Sequence, residues 1–571
     1  MERLEIHTED YIVMVIFLVI SSAIGIYYGF IKKQRTMEEY ILGNRQIHLV
    51  PVALSMAVTV QSAVSIFGFP SEIYLYNVMF LYMTLAVCIA SLVQAFFIVP
   101  LVHPLRLTSA YEYLQRRFQS RAVQLLGMTM GMLKTVLYIS IVLYTPALAL
   151  EVVAGIPIWL SIVLIGALGT VYTAIGGMRT VVWTDTIQCV ILYGGLTVIL
   201  TLGVKEIGSL SKVFELSSKG GRIKFDDASL LNIPLNIFFT FILALTGLVL
   251  YAYIANKECD PLANETLSNP NQLLIYFVKN ALHDVPGLAG LFLAAVFSGT
   301  LSSLSSGISS LATNVLQDVL AGWLKNMLPI RKALVVKLLV LVLGALVVTL
   351  AYLLQYLTGP VMQMCNTAIG AAGGPGFGIF FLGSVFPQAN KKGALAGGIV
   401  GIAINMWIAL GSLLYGTKAP LSKPVTTSGC IQNETGLPEL NLALPTRSNY
   451  NSTFDLSFDR YLNGTTTMGT LHYQQRTDDN HIFIYDVSYV WFGLIGFLIA
   501  VIVGLIVSFI TGKDKEHPTE PIYILPFLHR VWTFDESSAL GNPRTENRFA
   551  LIDKEIELVN IKETSSLEPV E

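Results

Sequence analysis

The chain has 571 residues, of which 53% are hydrophobic and only 13% are charged, and its mean hydropathy is +0.62. Since about a quarter of the residues of a soluble protein are charged, this composition excludes a water-soluble chain and predicts a polytopic membrane protein. The net charge of −2 excludes a nucleic-acid binder, and 46 Gly with 23 Pro fit a helical bundle better than a transmembrane barrel.

Apolar runs of about 20 residues, the length that crosses a bilayer core, predict twelve transmembrane helices. They lie at 11–31, 49–76, 78–102, 123–150, 156–176, 183–204, 231–254, 286–320, 334–358, 362–387, 393–415 and 486–511. The tail after Thr511 is polar with charges of both signs, and we expect residues 516–571 to be a largely unstructured cytoplasmic extension.

Basic residues in short loops, which mark the cytoplasmic side, follow the first, third and fifth runs and place the N-terminus outside. Four glycosylation sequons place the loop after residue 254 and the loop 416–485 outside as well. Their acceptors are Asn264, Asn433, Asn451 and Asn463. Later basic clusters place the C-terminus inside. Only Cys259 and Cys430 lie in polar loops, so at most one loop-to-loop disulfide is predicted.

These orientations conflict with the number of spans. Ends on opposite sides require an odd number of crossings, whereas twelve is even. The fault lies between residues 204 and 255, where the run 231–254 joins two segments that both indicate an outside location. The charged loop 205–230 is not apolar enough to supply a crossing. Either the run 231–254 does not cross, or one crossing is absent from the chain.

The second run carries polar side chains at mid-depth. They are Thr59, Gln61, Ser62 and Ser65, and Gly68 and Pro70 weaken the helix just beyond them. A helix that breaks in mid-membrane frees backbone carbonyls, which can coordinate a cation. A kinked helix whose hydroxyls bond to its own backbone is the alternative.

A second polar stretch lies in the run 286–320. Ten of the fourteen residues from Phe297 to Ser310 are hydroxylated or glycine, and the hydroxyls cover more than one helical face. Na⁺ is a hard cation that takes several uncharged oxygens, so this pattern favours a sodium site. Close packing of helices through small residues, which would need a single face, is the alternative.

Asp185 lies at the predicted cytoplasmic start of the run 183–204. A carboxylate there is either a helix cap or a cytoplasmic station for a departing cation. Glu72, Glu112 and Asp318 lie at the edges of predicted spans, where water could solvate them. No metal-ligand spacing, hydrolase motif or phosphate loop is present in the sequence, so an enzyme is not predicted.

Six segments together resemble the sodium/solute symporter family, and in particular its sodium-coupled monocarboxylate, multivitamin and iodide transporters, a plasma-membrane group in animals. They begin at Pro51, Leu107, Tyr144, Gly176, Cys259 and Phe297. The resemblance implies an all-α, leucine-transporter-like bundle with an extra N-terminal helix, two inverted five-helix repeats and two further helices. It also implies alternating access powered by the inward Na⁺ gradient.

The resemblance also implies site residues. Sodium would be held by two hydroxyls and by nearby backbone carbonyls: Ser302, Ser303, Val58, Gln61 and Gly299. Three positions would face the substrate or a second Na⁺: Ser62, Ser65 and Tyr144. Asp185 would be the acid at the cation exit. Na⁺ is the co-transported ion, and no organic cofactor is expected.

The chain departs from the family where the crossing count fails. Family members have another span after the segment at Lys224, so the resemblance implies that about fifty residues are missing here between 224 and 235. The predicted architecture is therefore about twelve spans instead of thirteen, lacking one core helix. Its parts are a first repeat at about 49–204, an incomplete second repeat at about 231–387, and the extra helices 11–31, 393–415 and 486–511, within a transmembrane domain of residues 1–515.

The sequence thus predicts a Na⁺-coupled symporter that imports small organic anions, such as monocarboxylates or vitamins, at the plasma membrane. A splice form or truncated gene product that does not transport is the alternative. A passive channel is disfavoured because no ring-forming selectivity filter is visible. Substrate identity, Na⁺ stoichiometry and oligomeric state do not follow from the residues.

Overall fold

The structure is a computed structural model, and it describes most of the predicted membrane domain. The described residues are 7–28, 40, 47–78, 86–87, 89–90, 92–105, 107, 109–223, 234–264, 266–267, 269–324, 327–356, 359–416, 425, 427–430, 483–512, 519–530 and 532. Every regular element in these ranges is helical, which confirms the predicted all-α class.

Fourteen helices of nine or more residues occur in the described ranges. They are α1 (Thr8–Ile26), α2 (Leu49–Val60), α3 (Ala63–Leu75), α4 (Ala110–Phe118), α5 (Arg121–Ala154), α6 (Ile158–Ile207), α7 (Leu210–Lys219), α8 (Pro234–Lys257), α9 (Leu273–Ala281), α10 (Leu288–Asp318), α11 (Pro329–Leu354), α12 (Val361–Val385), α13 (Lys391–Tyr415) and α14 (Phe492–Thr511).

Most of the predicted spans correspond to these helices. In the described part of the chain, nine helices are long and apolar enough to cross a membrane, and α2 with α3 forms one further span bent by 47°. At 50 residues, or about 75 Å, α6 is long enough for two crossings, and its kink at Gly177 (φ 62°) separates the predicted runs 156–176 and 183–204. The run 78–102 lies partly outside the described residues.

Sequence patterns missed the short amphipathic helices and an ordered part of the tail. On α4, the side chain of Arg117 is buried and donates from Nε to the Gly383 carbonyl at 2.8 Å, and burial lowers the pKa of its guanidinium to about 10. Residues 519–530 pack against the same region, where Tyr113 Oη donates to the Tyr523 carbonyl at 2.8 Å. This part of the tail is therefore structured, contrary to expectation, and residues 533–571 lie outside the described ranges.

The broken span α2/α3 lies within the bundle, in contact with α6, α8, α10 and α12. Helices of the bundle approach one another closely at small residues. On α12, a Cβ added to Gly374 would lie 2.3 Å from the carbonyl oxygen of Gly493 on α14. The glycine-rich stretch of α12 thus serves close helix packing. The helix continues through Pro375, and Asn405 Nδ2 donates to the Ala371 carbonyl that the proline leaves without a helical donor.

Helix α8 runs in the same direction as α3. A Cβ on Gly247 would lie 3.1 Å from Cα of Pro70, and one turn further along both helices the rings of Tyr251 and Tyr74 are 5.9 Å apart. The α8 helix is continuous over 24 residues and includes a buried apolar stretch long enough to span a membrane. The helix is therefore long and apolar enough to cross, which favours the second alternative for the crossing conflict, an absent crossing.

The chain before α8 ends on the same side as the C-terminal end of α8. Ser217 Oγ, in α7, donates to the Leu248 carbonyl at 3.3 Å, and Arg222 Nε donates to the Tyr74 carbonyl at 2.7 Å. Pro234 begins α8 fourteen residues before Leu248, which is about 21 Å away along the helix axis. Ten residues, 224–233, join these ends, and ten residues are too few for a spanning helix. This geometry agrees with the second alternative, that one crossing is absent between α7 and α8.

Candidate sodium and solute site

The second span breaks at Gln61 and Ser62. Their backbones are extended (φ −97°, ψ 100° and φ −101°, ψ 171°), and they separate α2 from α3. The expected weak point at Gly68 and Pro70 is wrong, because α3 continues through Pro70 and a proline removes a single helical hydrogen bond. Gly68 instead permits contact with α12, since a Cβ there would lie 2.8 Å from Cβ of Met362.

Helix α10 packs directly against this break through Gly299. A Cβ on Gly299 would lie 3.0 Å from the Ala63 nitrogen, 3.1 Å from the Ser62 carbonyl carbon and 3.4 Å from the Gln61 carbonyl oxygen. All three are backbone atoms, which cannot move aside as a flexible side chain would. Glycine at 299 therefore allows α10 to bring its next turn, with Ser302 and Ser303, to the level of the broken helix.

The two predicted sodium-binding hydroxyls are buried at this contact. Ser303 Oγ donates to the Thr59 carbonyl at 3.3 Å and is 2% exposed. Ser302 is fully buried, and its Oγ has no hydrogen-bond partner among the described residues. A buried hydroxyl without a hydrogen-bond partner is costly, and a bound ligand would relieve this cost. Of the predicted carbonyls, that of Val58 accepts from the Gln61 N–H at 3.1 Å, and that of Gln61 faces Gly299.

Asp185 belongs to the same cluster. It lies in the interior of α6, eight residues beyond the kink at Gly177, so the helix-cap alternative is wrong. It is fully buried, its Oδ2 accepts from Ser55 Oγ at 2.6 Å, and the carboxylate also faces Ser302. Its Oδ1 has no hydrogen-bond partner in the described part of the chain, and neither has the side-chain amide of Gln188. A buried carboxylate with no nearby cation is suited to a positively charged ligand.

The predicted substrate-facing residues separate into two places. Ser62 and Ser303 both interact with the hydroxyl of Tyr138 on α5, so Ser62 adjoins the predicted sodium ligands. Ser65 is half-buried in the first turn of α3, where its N–H donates to the Ser62 carbonyl at 3.0 Å. Tyr144 lies further along α5 in the apolar core, with Glu151 as its electrostatic neighbour.

Sequence reasoning missed Ser55, Tyr138 and Gln188. Each lies one helical turn from a polar residue that the sequence does show: Thr59, Lys134 and Asp185 respectively. A tyrosine four residues after Lys134 within an apolar run was the available signal for Tyr138.

Glu72 and Asp318 are buried and hydrogen-bonded, so the expectation that water could solvate them is wrong. Glu72, 3% exposed at the end of α3, accepts from Gln363 Nε2 at 3.2 Å and interacts with Tyr489. Asp318, 1% exposed at the end of α10, accepts from Ser109 Oγ at 2.6 Å and from Gln124 Nε2 at 2.7 Å. Glu72 thus links α3 to α12 through a hydrogen bond, and Asp318 links α10 to α5 in the same way.

The disulfide permitted by the sequence is present. Cys259 is bonded to Cys430, 171 residues later in the chain. Asn264, five residues after Cys259, is exposed. The sequons at Asn433, Asn451 and Asn463 lie outside the described residues.

A helical bundle in which an interrupted span packs against a serine-rich helix is the leucine-transporter-like fold. A solved Na⁺-coupled sialic acid symporter, in a substrate-bound outward-open state, has this fold. It superimposes with a TM-score of 0.63 at 22% sequence identity, covering 89% of this chain and 99% of that chain.

The chain belongs to the sodium:solute symporter family, whose model matches residues 40–220 and 222–401, more than half of the chain. Human sodium-coupled monocarboxylate transporter 1 is 32% identical, over 92% of this chain and 91% of that protein. The human sodium/iodide cotransporter is 32% identical, over 90% and 85%. The rabbit (Oryctolagus cuniculus) sodium-dependent multivitamin transporter is 31% identical, over 91% and 85%. The protein is thus a multi-pass membrane protein of a family of transporters, not enzymes.

Proposed function

We propose that this chain is a Na⁺-coupled symporter that imports small organic anions across the plasma membrane by alternating access, with its N-terminus outside and its C-terminus inside. The observation that carries the proposal is the unpartnered, buried hydroxyl of Ser302 beside Asp185 and opposite the broken span. The relatives are named for monocarboxylates, iodide and vitamins, and the first two are anions.

In this proposal five residues bind Na⁺: Ser302 and Ser303 through their hydroxyls, and Val58, Gln61 and Gly299 through their carbonyls. Uncharged oxygens replace the hydration shell of a small hard cation without the cost of burying another carboxylate.

Asp185 receives the cation on its way to the cytoplasm, because its unpartnered oxygen faces Ser302. Ser62, Ser65 and Tyr144 face the solute or a second Na⁺. Of these, Ser62 has the best support, since it shares Tyr138 as a neighbour with Ser303.

The site lies between parts of the fold that we assign to different repeats, the first at about 49–204 and the incomplete second at about 231–387. Sodium bound between α10 and the α2/α3 break favours conformations in which these two elements are in contact. By linkage, a solute that prefers the same conformation binds more tightly when Na⁺ is present. Coupling therefore requires the contact at Gly299 to form and separate during transport.

The test is Na⁺-dependent uptake by the full chain in proteoliposomes, with radiolabelled propionate and iodide as probes. Ser302→Ala and Ser303→Ala should each raise the Na⁺ concentration for half-maximal uptake at least tenfold. Ser310→Ala, on the same helix with an exposed side chain, should leave it unchanged. Uptake at full rate without Na⁺, or equal Na⁺ dependence in all three variants, would refute the proposal.

The absent crossing favours a second candidate, a family member that does not transport. By resemblance, the missing helix is the inverted-repeat partner of the broken span, and such partners jointly form the midplane solute site. If the chain reaches the cell surface and binds Na⁺, yet an inward Na⁺ gradient drives no uptake of either probe, this second candidate is correct.

A further inference from the structure

Lys134 carries an ionisable side chain inside a transmembrane helix. It lies thirteen residues after the start of α5, within the predicted apolar run 123–150, and its own side chain is half-buried. Its ammonium makes no hydrogen bond or ion pair with any described residue. Ionisable groups at such positions are expensive and normally have a partner, so the missing partner needs an explanation.

The position of Lys134 on α5 shows which part of the bundle it faces. One turn before it, Met130 lies against Gly376 of α12, and the aliphatic chain of Lys134 lies against Gly373, whose added Cβ would be 3.0 Å from Lys134 Cδ. One turn after it, Tyr138 meets Ser62 and Ser303. Since i, i+4 and i+8 share a helix face, Lys134 faces α12 next to the broken span.

Its depth is close to the middle of the bundle. Gly373 is the thirteenth of the 25 residues of α12, and Gln363, ten residues earlier, binds Glu72 at the far end of α3. Lys134 is also one helical turn, about 6 Å, from Tyr138 and hence near the proposed sodium ligands. A positive charge here lies within one helical turn of the proposed sodium and solute site.

The buried carboxylates nearby are already held by other groups. Asp185 binds Ser55 and faces Ser302, whereas Glu72 binds Gln363 and faces Tyr489. Neither has Lys134 as an electrostatic neighbour. The positive charge is therefore available to a ligand.

We propose that Lys134 is the anion-binding group of the transport path and binds the carboxylate or halide charge of the solute next to Na⁺. The inference rests on the proposed function and deepens it, because it names the residue that selects a negative charge. A cation and an anion bound one helical turn apart neutralise each other in a low-dielectric site, and the ammonium replaces the water lost by the anion. It also supplies an anion contact that does not depend on the absent helix.

The test compares propionate with propionamide, its uncharged analogue of nearly the same shape. In Lys134→Gln the KM for propionate and for iodide should rise about tenfold or more, since a charge-assisted contact is lost. Lys134→Arg should keep the KM within about threefold, and propionamide should be affected by neither change. Lys219→Gln, which removes an exposed lysine on α7, is the matched control.

A second measurement separates this inference from the proposed function. Propionate and iodide, but not propionamide, should raise the thermal unfolding temperature of the purified wild-type chain and of Lys134→Arg, and not that of Lys134→Gln. If this pattern holds while no Na⁺-driven uptake occurs, the inference stands and the proposed function fails. If uptake is Na⁺-driven but Lys134→Gln keeps the wild-type KM for both anions, the inference fails and the function stands. Absence of any anion-specific stabilisation together with absence of uptake overturns both.

Discussion

The contact between Gly299 and the broken span makes a prediction that can be worked from the structure. In Gly299→Ala the new methyl group would meet three backbone atoms at 3.0, 3.1 and 3.4 Å. Ordinary contacts are longer, so α10 and the α2/α3 break must separate by a few tenths of an ångström. We expect this shift to weaken Na⁺ binding, because Ser302 and Ser303 lie one turn away on the same helix.

The free-energy change expected for Gly299→Ala is the sum of two opposing effects. Overpacking of a tight contact costs about 1–3 kcal/mol. Alanine in a helix interior is more favourable than glycine by about 0.5–1 kcal/mol. A glycine with open space around it shows the second effect alone, and Gly194 on α6 has no heavy atom within 4 Å of an added Cβ. The difference between Gly299→Ala and Gly194→Ala is therefore the steric cost, roughly a 5- to 150-fold change in an equilibrium constant.

The assay is the Na⁺ activation curve of propionate uptake in proteoliposomes, together with the thermal unfolding temperature of each purified variant. Gly299→Ala should need at least fivefold more Na⁺ for half-maximal uptake and unfold at a lower temperature. Gly194→Ala should keep the wild-type curve and unfold at the same or a higher temperature. If the two variants have the same Na⁺ activation curve and unfolding temperature, the close approach at Gly299 has no energetic consequence and the prediction is refuted.

Three further predictions concern other parts of the fold. Cys259→Ser should lower the free energy of unfolding by up to about 5 kcal/mol, since the bond to Cys430 closes a loop across 171 residues. Cys430→Ser and the double variant should show the same loss of stability in thermal unfolding. Asn405→Ala leaves the carbonyl that Pro375 frees without its donor, and should cost about 1–3 kcal/mol in the same measurement. Asn264→Gln should remove one glycan from the cell-expressed chain, seen as a glycosidase-sensitive gel shift, and an unchanged glycan count would contradict the outside location of this loop.

The sequence determined most of the transmembrane architecture. The length of an apolar run is a local property, and a bilayer of fixed thickness converts it directly into a helix. The runs at 123–150, 393–415 and 486–511 therefore correspond to α5, α13 and α14 within a few residues. Crossing parity, which depends on loop charges and glycosylation sequons, also placed the conflict in the number of spans between residues 204 and 255.

The tertiary structure decided which polar groups meet. The span breaks at Gln61 and Ser62, where Gly299 of α10 leaves room for extended backbone, and not at Gly68 and Pro70. Gly68 instead allows α12 to contact α3. Asp185 is a buried group facing Ser302, although its position in the sequence also fitted a cap. Such contacts join residues more than a hundred positions apart, and they depend on helix rotation and close approach, which hydropathy does not encode.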